Sequence, residues 1–226
     1  MKIATGESLD TGSWAPDNFH LLFSESAAST EPKTYLVGAD GSGLRQVPSM
    51  GAAPVFMATW GADQKSIYVS TTERGESLFT IWKWRLDGSS PEKFMEKCSQ
   101  AYDADPSGKY LLGVVLVGEM AGIYEVSISE KKCIPLLPGV LTHGTIVAHD
   151  GKSFLYAVAS RGEVTIYRQL WSDGKLIGTP QVALKVPFVF PLRYYSGNAY
   201  DFSPDLSTIV YARPGGHADL YLLSHK

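Results

Sequence analysis

Two aspartates in this sequence of 226 residues stand in the same local context. Each ends an Ala-Tyr-Asp triplet, at Asp103 and at Asp201, and each lies four residues before the matching position of a turn. Two carboxylates that face one narrow space repel each other unless a cation, a basic side chain or water separates them. A divalent cation needs more ligands than these two, and only Ser13 and Thr59 offer oxygen atoms at equivalent positions. Asp103 and Asp201 are therefore candidates for a metal site with an incomplete ligand set. The simpler interpretation is that they bind backbone groups or water.

No other segment completes a catalytic or cofactor motif. Gly151-Lys152-Ser153 resembles the end of a phosphate-binding loop, but that loop requires glycine where the sequence has Ile146, and a helix where it has an apolar run. Gly-x-Ser-x-Gly and His-Glu-x-x-His motifs do not occur. The five histidines are dispersed, at His20, His143, His149, His217 and His225. We therefore predict no catalytic residue, no cofactor and no enzymatic activity.

The turn that follows Asp103 belongs to a repeat that runs along the chain. Five segments each combine a turn rich in Pro, Asp and Gly, an apolar strand, a loop, and a strand that carries an aromatic residue. The matching turn positions are spaced by 46, 44, 43 and 55 residues and are Asp17, Asp63, Ser107, Asp150 and Asp205. A repeat of about 45 residues with three or four strands is typical of one blade of a β-propeller.

The later strands of each unit carry further signs of the repeat. Three third strands end in Asp-Gly, at 40–41, 87–88 and 173–174, which is a strong hairpin signal. Segment 90–97 could begin a helix, but its place after a hairpin turn favours a fourth strand. The aromatics expected to pack between neighbouring blades are Trp14, Trp60, Phe202, Tyr35, Trp82, Tyr124, Tyr167 and Tyr221.

These patterns predict an all-β protein that forms a single domain over residues 1–226. We expect a β-propeller of five four-stranded antiparallel blades, with the N-terminal strand closing the last blade and covering its edge. The repeat units are expected at about 11–55, 56–99, 100–142, 143–196, and 197–226 together with 1–10. The alternative is a part of a larger propeller.

Several turn segments resemble those of a known repeat family. Trp14-Ala15-Pro16-Asp17, Trp60-Gly61-Ala62-Asp63 and Ser203-Pro204-Asp205 resemble the TolB-type, WD-like propeller repeat. Segment 201–223 is similar to the end of propeller domains appended to bacterial transmembrane Ser/Thr kinases. The resemblance implies an extracytoplasmic or periplasmic module of a larger receptor or envelope complex. It also implies an alternative, a lactonase-like propeller enzyme with a divalent metal held in the central channel by Asp103 and Asp201.

Composition limits the classes of partner. The net charge of −3 and a pI near 5.9 argue against a nucleic-acid surface, and no stretch approaches 18 apolar residues, so we expect no direct membrane insertion. The first residues lack the apolar run of a secretory signal. Cys98 and Cys133 have no metal-binding spacing, and we predict two half-buried thiols, with a single disulfide as the alternative.

The predicted contact surface lies at one end of the blades. In a propeller, the loops that lead into each blade and the loops between second and third strands share one face. Tyr and Arg on such loops are the residue types that anchor protein interfaces. We expect the partner-binding residues to be Arg193, Tyr194 and Tyr195, with Arg213 and His217 of the neighbouring unit. The predicted function is a non-catalytic protein-interaction or sensing module that binds a protein or peptide and could exist as a monomer.

Overall fold

The computed structural model describes twenty β-strands and no helix within residues 2–6, 9–10, 13–25, 33–50, 53, 55–73, 75–116, 118–142, 145–148, 150–160, 163–187, 200–202, 209–211 and 218–221. Sheet 1 consists of β2 (Leu9–Asp10), β3 (His20–Glu25), β4 (Lys33–Gly38) and β5 (Arg45–Gln46). Sheet 2 consists of β6 (Val55–Trp60), β7 (Ser66–Thr71), β8 (Phe79–Arg85) and β9 (Glu92–Cys98). Sheet 3 consists of β10 (Gln100–Ala104), β11 (Tyr110–Val115), β12 (Gly122–Ser127) and β13 (Lys132–Pro138). Sheet 4 consists of β14 (Thr145–Val147), β15 (Ser153–Ser160), β16 (Glu163–Ser172) and β17 (Lys175–Pro187).

In each of these four sheets the strands lie in chain order and pair antiparallel. The all-β prediction is therefore confirmed for the described residues. Segment 90–97 falls mostly in β9, as the hairpin argument predicts. Because the strands alternate in direction, each sheet has two ends. The turn face of a sheet is the end where its first strand connects to its second and its third strand connects to its fourth. The opposite end, where the second strand connects to the third and the chain passes to the next sheet, is the loop face.

Four further strands belong to the two ends of the chain. β18 (Tyr200–Phe202) pairs with β19 (Ile209–Tyr211), and β1 (Lys2–Gly6) pairs antiparallel with β20 (Ala218–Tyr221). The N-terminal strand thus pairs with the last strand of the fifth unit. β2 joins sheet 1, so that sheet begins two residues before the expected start of the first unit.

The same turn geometry recurs in the first connection of all four sheets. Backbone φ is positive at Asn18, Gln64, Gly108 and Gly151, each one residue after the matching turn position. At each of these residues the N–H donates to the carbonyl three residues earlier, over 2.8 to 3.0 Å. The repeat found in the sequence is therefore a repeat of backbone conformation.

Aspartate side chains at the matching position hold three of these four turns closed, at Asp17, Asp63 and Asp150. Asp17 Oδ1 accepts the N–H groups of Phe19 and His20 at 2.8 and 2.9 Å. Asp63 Oδ1 accepts those of Lys65 and Ser66 at 3.0 and 2.8 Å. Burial alone would raise the pKa of Asp63, but the hydrogen bonds from Ser66 and Lys65 outweigh it and lower the pKa. These carboxylates act as turn-stabilising groups, in the way that Asx turns do.

The Asp-Gly hairpins differ from one another. Asp173 and Gly174 have φ of +45° and +76°, as a two-residue hairpin turn requires. At the other two Asp-Gly pairs only the glycine has positive φ, and Asp40 and Asp87 accept the N–H of Ser42 and Ser89. The Asp-Gly signal therefore marks each connection correctly, while the turn type varies with loop length.

The core lies between neighbouring sheets. Along β7, Ile67 and Val69 pack towards sheet 1, while Tyr68 packs towards sheet 3. Along β11, Leu111 packs towards sheet 2 and Leu112 towards sheet 4. Because side chains alternate across a strand, sheets 2 and 3 are buried on both faces.

The predicted aromatic packing is confirmed only in part. Trp60 and Tyr124 are buried, whereas Trp14, Tyr35, Trp82 and Tyr167 are half-buried. Trp82 and Tyr167 nevertheless pack against the apolar clusters between sheets 1 and 2 and between sheets 3 and 4, as predicted. The side chains of Phe202 and Tyr221 lie outside the described residues.

The prediction of two free thiols is wrong. Cys98 at the end of β9 and Cys133 in β13 form a disulfide, with Cα atoms 5.8 Å apart. The bond joins the fourth strands of sheets 2 and 3, which the sequence separation of 35 residues does not bring together by itself. The half-buried state inferred from composition holds for Cys133, while Cys98 is buried.

We expect replacement of Trp60 by alanine to lower the free energy of unfolding by about 3–5 kcal/mol. Trp60 is 3% exposed, packs in the core between sheets 1 and 2, and donates its indole N–H to the Ser13 carbonyl at 3.1 Å. Urea unfolding followed by tryptophan fluorescence measures the change, with Trp82→Ala as the half-buried control. An equal loss in both variants would contradict the packing described.

We expect Cys98→Ser with Cys133→Ser to lower the free energy of unfolding by about 3–4 kcal/mol, because the disulfide restricts the unfolded chain. Guanidinium unfolding of wild type and variant, each with and without dithiothreitol, measures the effect. Reductant should destabilise the wild type and leave the variant unchanged. An unchanged wild type under complete reduction, checked by thiol titration, would refute the prediction.

Candidate functional site

The candidate site is the position on the first strand of each unit, four residues before the matching turn position. Ser13, which lies after β2 and accepts the N–H of Leu22 of β3, occupies it beside sheet 1, and Thr59 of β6 occupies it in sheet 2. Their hydroxyl oxygens lie 3.2 Å apart. Asp103 occupies it in sheet 3, and Ile146 in sheet 4. The structure therefore brings Ser13 and Thr59 together as hydrogen-bond partners between two neighbouring sheets.

Asp103 also forms a bond between sheets. Its Oδ1 accepts the N–H of Ala104 at 2.8 Å, and its Oδ2 accepts the N–H of Val147, in the first strand of sheet 4, at 2.7 Å. A shift of register between Ala101 and Asp103 places the carboxylate at this point. The bond to Val147 ties sheet 3 to sheet 4 and gives Asp103 a structural role.

The metal prediction gains no further ligand in the part of the chain that is described. There, no group of three or more His, Cys, Asp or Glu side chains is placed to hold a metal ion. Asp201 lies in β18, where it pairs with Val210, and its side chain is outside the described residues. The proposal of a channel metal at Asp103 and Asp201 stays a prediction.

The remaining site predictions fall in two groups. Gly151-Lys152-Ser153 forms a turn that leads directly into strand β15, so a helix does not follow it as a phosphate-binding loop requires. The predicted partner-binding residues Arg193, Tyr194, Tyr195, Arg213 and His217 lie outside the described residues and stay a prediction.

A buried carboxyl group between sheets 3 and 4 was missed by the sequence reasoning. Glu125 in β12 is 1% exposed, and its Oε2 accepts the indole N–H of Trp171 at 2.8 Å. A Cβ atom placed on Gly174 would lie 2.8 Å from Glu125 Oε1, so the hairpin turn of sheet 4 needs glycine for close approach as well as for its positive φ. The available signal is the alternation of β12, which puts Glu125 on the same face as Ile123.

The surroundings of Glu125 disfavour its charged form. Burial raises its pKa, and the neighbouring charges of Asp105 and Asp173 raise it further, while the hydrogen bond from Trp171 acts in the opposite direction. Lys109 forms an exposed ion pair with one of these acids, its Nζ lying 3.9 Å from Asp173 Oδ1. The net pKa of Glu125 is raised above its ordinary value.

Comparison with known proteins shows the class of fold. No protein-family model and no curated protein matches the sequence. Among solved structures, TolB from Acinetobacter baumannii is similar over 96% of this chain and 55% of its own, with 15% identity and a TM-score of 0.66. A periplasmic gluconolactonase from Pseudomonas aeruginosa is similar over 89% of this chain and 64% of its own, with 15% identity and a TM-score of 0.54.

A third similar structure is an auxiliary nutrient binding protein from Bacteroides thetaiotaomicron. It matches 92% of this chain and 53% of its own, with 12% identity and a TM-score of 0.60. The chain thus spans about half the length of the TolB and nutrient-binding structures and under two thirds of the gluconolactonase. At these identities the likeness shows the fold alone, which is that of TolB-like β-propeller proteins.

We expect Glu125→Gln to change how stability depends on pH. An acid whose pKa is raised by folding binds its proton more tightly in the folded protein, so the wild type should lose stability as the pH rises above 4.5, the ordinary value, and through the raised pKa. The neutral amide keeps an oxygen acceptor for Trp171 and removes this loss. Melting temperatures between pH 4 and pH 8 measure the difference, with the exposed Glu92→Gln as control. A constant difference between variant and wild type across this range would contradict the raised pKa.

Proposed function

We propose that this chain is a non-catalytic protein-interaction or sensing module, part of a larger bacterial receptor or envelope complex. The observation that carries the proposal is the exposure of Phe56, Met120 and Leu141 at the loop face of sheets 2 and 3. Exposed apolar side chains gathered at one end of neighbouring sheets are typical of surfaces that bind other proteins. The carboxylates Asp17, Asp63 and Asp103, by contrast, bind backbone N–H groups within the fold.

The same proposal extends to the whole chain as a five-bladed propeller. Its support is the set of five repeat units in the sequence, four of which correspond to four-stranded sheets. The pairing of β1 with β20 supports the closure of the fifth blade by the N-terminal strand. A larger propeller remains the alternative for a chain that spans part of the length of its structural neighbours.

We propose that the module lies outside the cytoplasm. Disulfides form and persist mainly in oxidising compartments, and Cys98 is bonded to Cys133. One structural neighbour is a periplasmic enzyme. A link to transmembrane kinases rests on the resemblance of segment 201–223 and stays a prediction.

We expect Arg193→Ala with Tyr195→Ala to weaken partner binding by at least tenfold while lowering the melting temperature by only a few degrees. The reason is that Arg and Tyr anchors supply much of the binding energy of an interface and little of the stability of the fold. The measurement is capture of partner protein from envelope extract by the immobilised chain, quantified by mass spectrometry, beside thermal unfolding. Lys131→Ala, on the turn face, is the control.

Two outcomes would contradict the proposal. A loss of stability that matches the loss of binding would show that Arg193 and Tyr195 belong to the core. One stoichiometric divalent ion, found by elemental analysis and lost in Asp103→Asn with Asp201→Asn, would favour the lactonase-like enzyme instead.

A further inference from the structure

Three loops at the loop face of sheets 2 and 3 form one continuous surface. The loop between β7 and β8 lies against the loop between β11 and β12. A Cβ atom placed on Gly118 of the second loop would lie 3.8 Å from the Oγ of Ser77 in the first. The latter loop is joined to the segment after β13, because Gly139 donates its N–H to the Ala121 carbonyl at 2.7 Å. Side chains from two neighbouring sheets therefore face solvent side by side.

Hydrogen bonds within the loops hold this surface in shape. Thr72 Oγ1 donates to the Leu78 carbonyl at 2.9 Å and so closes the loop between β7 and β8. The Tyr124 hydroxyl donates to the Met120 carbonyl at 2.6 Å and so fixes the loop between β11 and β12. A surface that is ordered before binding loses less conformational entropy when a partner binds.

Two large apolar side chains, Met120 and Leu141, are exposed on these loops, and a third, Phe56 of β6, is exposed beside the loop between β7 and β8. Phe56 is 38% exposed, Met120 50% and Leu141 58%. The ring of Phe56 packs edge-to-face against the buried ring of Phe79, with the ring centroids 5.7 Å apart. Methionine and aromatic side chains are enriched at protein interfaces, where they fill pockets or cover apolar partner residues.

The charged groups on the described part of these loops are acidic. Glu73, Glu76 and Glu119 are exposed, and none of them has an ion-pair partner within the described residues. Three glutamates elsewhere in the described part of the chain do pair with lysine, Glu96 with Lys93 at 2.6 Å, Glu130 with Lys132 at 2.8 Å and Glu163 with Lys185 at 2.9 Å. Arg74 stands between two of the three in the sequence, outside the described residues, so the three loops carry net negative charge even with its contribution.

We propose that these residues form a docking site for a basic, apolar segment of a partner protein, an inference that rests on the proposed function and names its partner chemistry. The acidic-apolar patch consists of Phe56, Glu73, Glu76, Glu119, Met120 and Leu141. The matching segment carries leucine-like side chains flanked by Lys or Arg, because apolar anchors fit Met120 and Leu141 while the flanking cations meet unpaired carboxylates. An acidic segment and the surface of an anionic membrane are both repelled by the same charges.

The test uses three synthetic 12-residue peptides of equal length, one of Lys and Leu, one of Glu and Leu, and one of Lys and Ser, each labelled for fluorescence anisotropy. The Lys-Leu peptide should bind at least tenfold more tightly than either of the others, and its affinity should fall as NaCl rises from 50 to 300 mM. Equal binding of the Glu-Leu peptide would overturn the charge argument. Equal binding of the Lys-Ser peptide would overturn the apolar one.

Variants locate the site on the protein. Glu73→Gln with Glu76→Gln and Glu119→Gln should weaken binding of the Lys-Leu peptide by about tenfold, as loss of three exposed charge pairs implies. Leu141→Ser should weaken it several-fold. Leu44→Ser is the matched control, because Leu44 is also 58% exposed but lies at the turn face of sheet 1, and it should leave the affinity unchanged. Equal affinity of all four proteins would show non-specific attraction and overturn the proposal.

The same variants separate this proposal from the proposed function. If the wild-type chain captures a protein partner and the triple glutamine variant captures it equally well, the docking site is refuted while the interaction module stands. If the wild-type chain captures no partner, the interaction module fails, and the peptide series still decides whether the acidic-apolar patch binds basic apolar segments.

Discussion

The burial of sheets on both faces is the constraint on which the described structure depends. A sheet placed between two neighbours cannot use the usual division into an apolar and a solvated face, so both sets of alternating side chains must be apolar or paired. β7 and β12 are buried along their whole length, and they contain Ser66, Ser70, Glu125 and Ser127. Every polar group at these positions has to find a partner inside the protein, since water is excluded.

Ser66 and Ser127 find theirs in their own sheets, at Asp63 Oδ2 and the N–H of Glu130, whereas Ser70 and Glu125 bond across the gaps between sheets. Each gap has its own set of such bonds. Ser13 bonds to Thr59 between sheets 1 and 2, where the Trp60 indole also reaches the Ser13 carbonyl. A disulfide joins sheets 2 and 3, and the N–H of Ala101 there donates to Ser70 Oγ at 2.9 Å. Each of these bonds joins two particular atoms, whereas apolar side chains in repeated units can pack against one another in more than one register. The polar bonds therefore supply a registry between sheets that the repeat itself does not define.

Much of the fold could be predicted from the sequence because local signals specify it. The spacing of Asp17, Asp63 and Asp150 predicts the repeat. In the structure, the carboxylate of each of these residues accepts a backbone N–H from a residue two or three positions later. The disulfide could not be predicted, because Cys98 and Cys133 meet only after two sheets have packed. The role of Glu125 was missed for the same reason: its partner Trp171 is 46 residues away in the next sheet, and no local pattern links the two.

At the candidate site too, the residue could be recognised from local sequence, whereas its partners are known only from the folded structure. Asp103 could be recognised from its triplet and its distance from the turn, yet its partners, Ala104 and Val147 N–H groups, come from two different sheets. Equivalent positions of the repeat thus form different bonds between sheets, a hydroxyl pair at Ser13 and Thr59 and a carboxylate bond to a backbone N–H at Asp103, while sheet 4 has the apolar Ile146 there. The polar groups of the first strands and of the turns form bonds that hold the sheets together. The side chains of the loops can therefore vary from one unit to the next without loss of the fold. Recognition of a partner by these loops is then compatible with the stability of the sheets, because the two functions depend on separate residues.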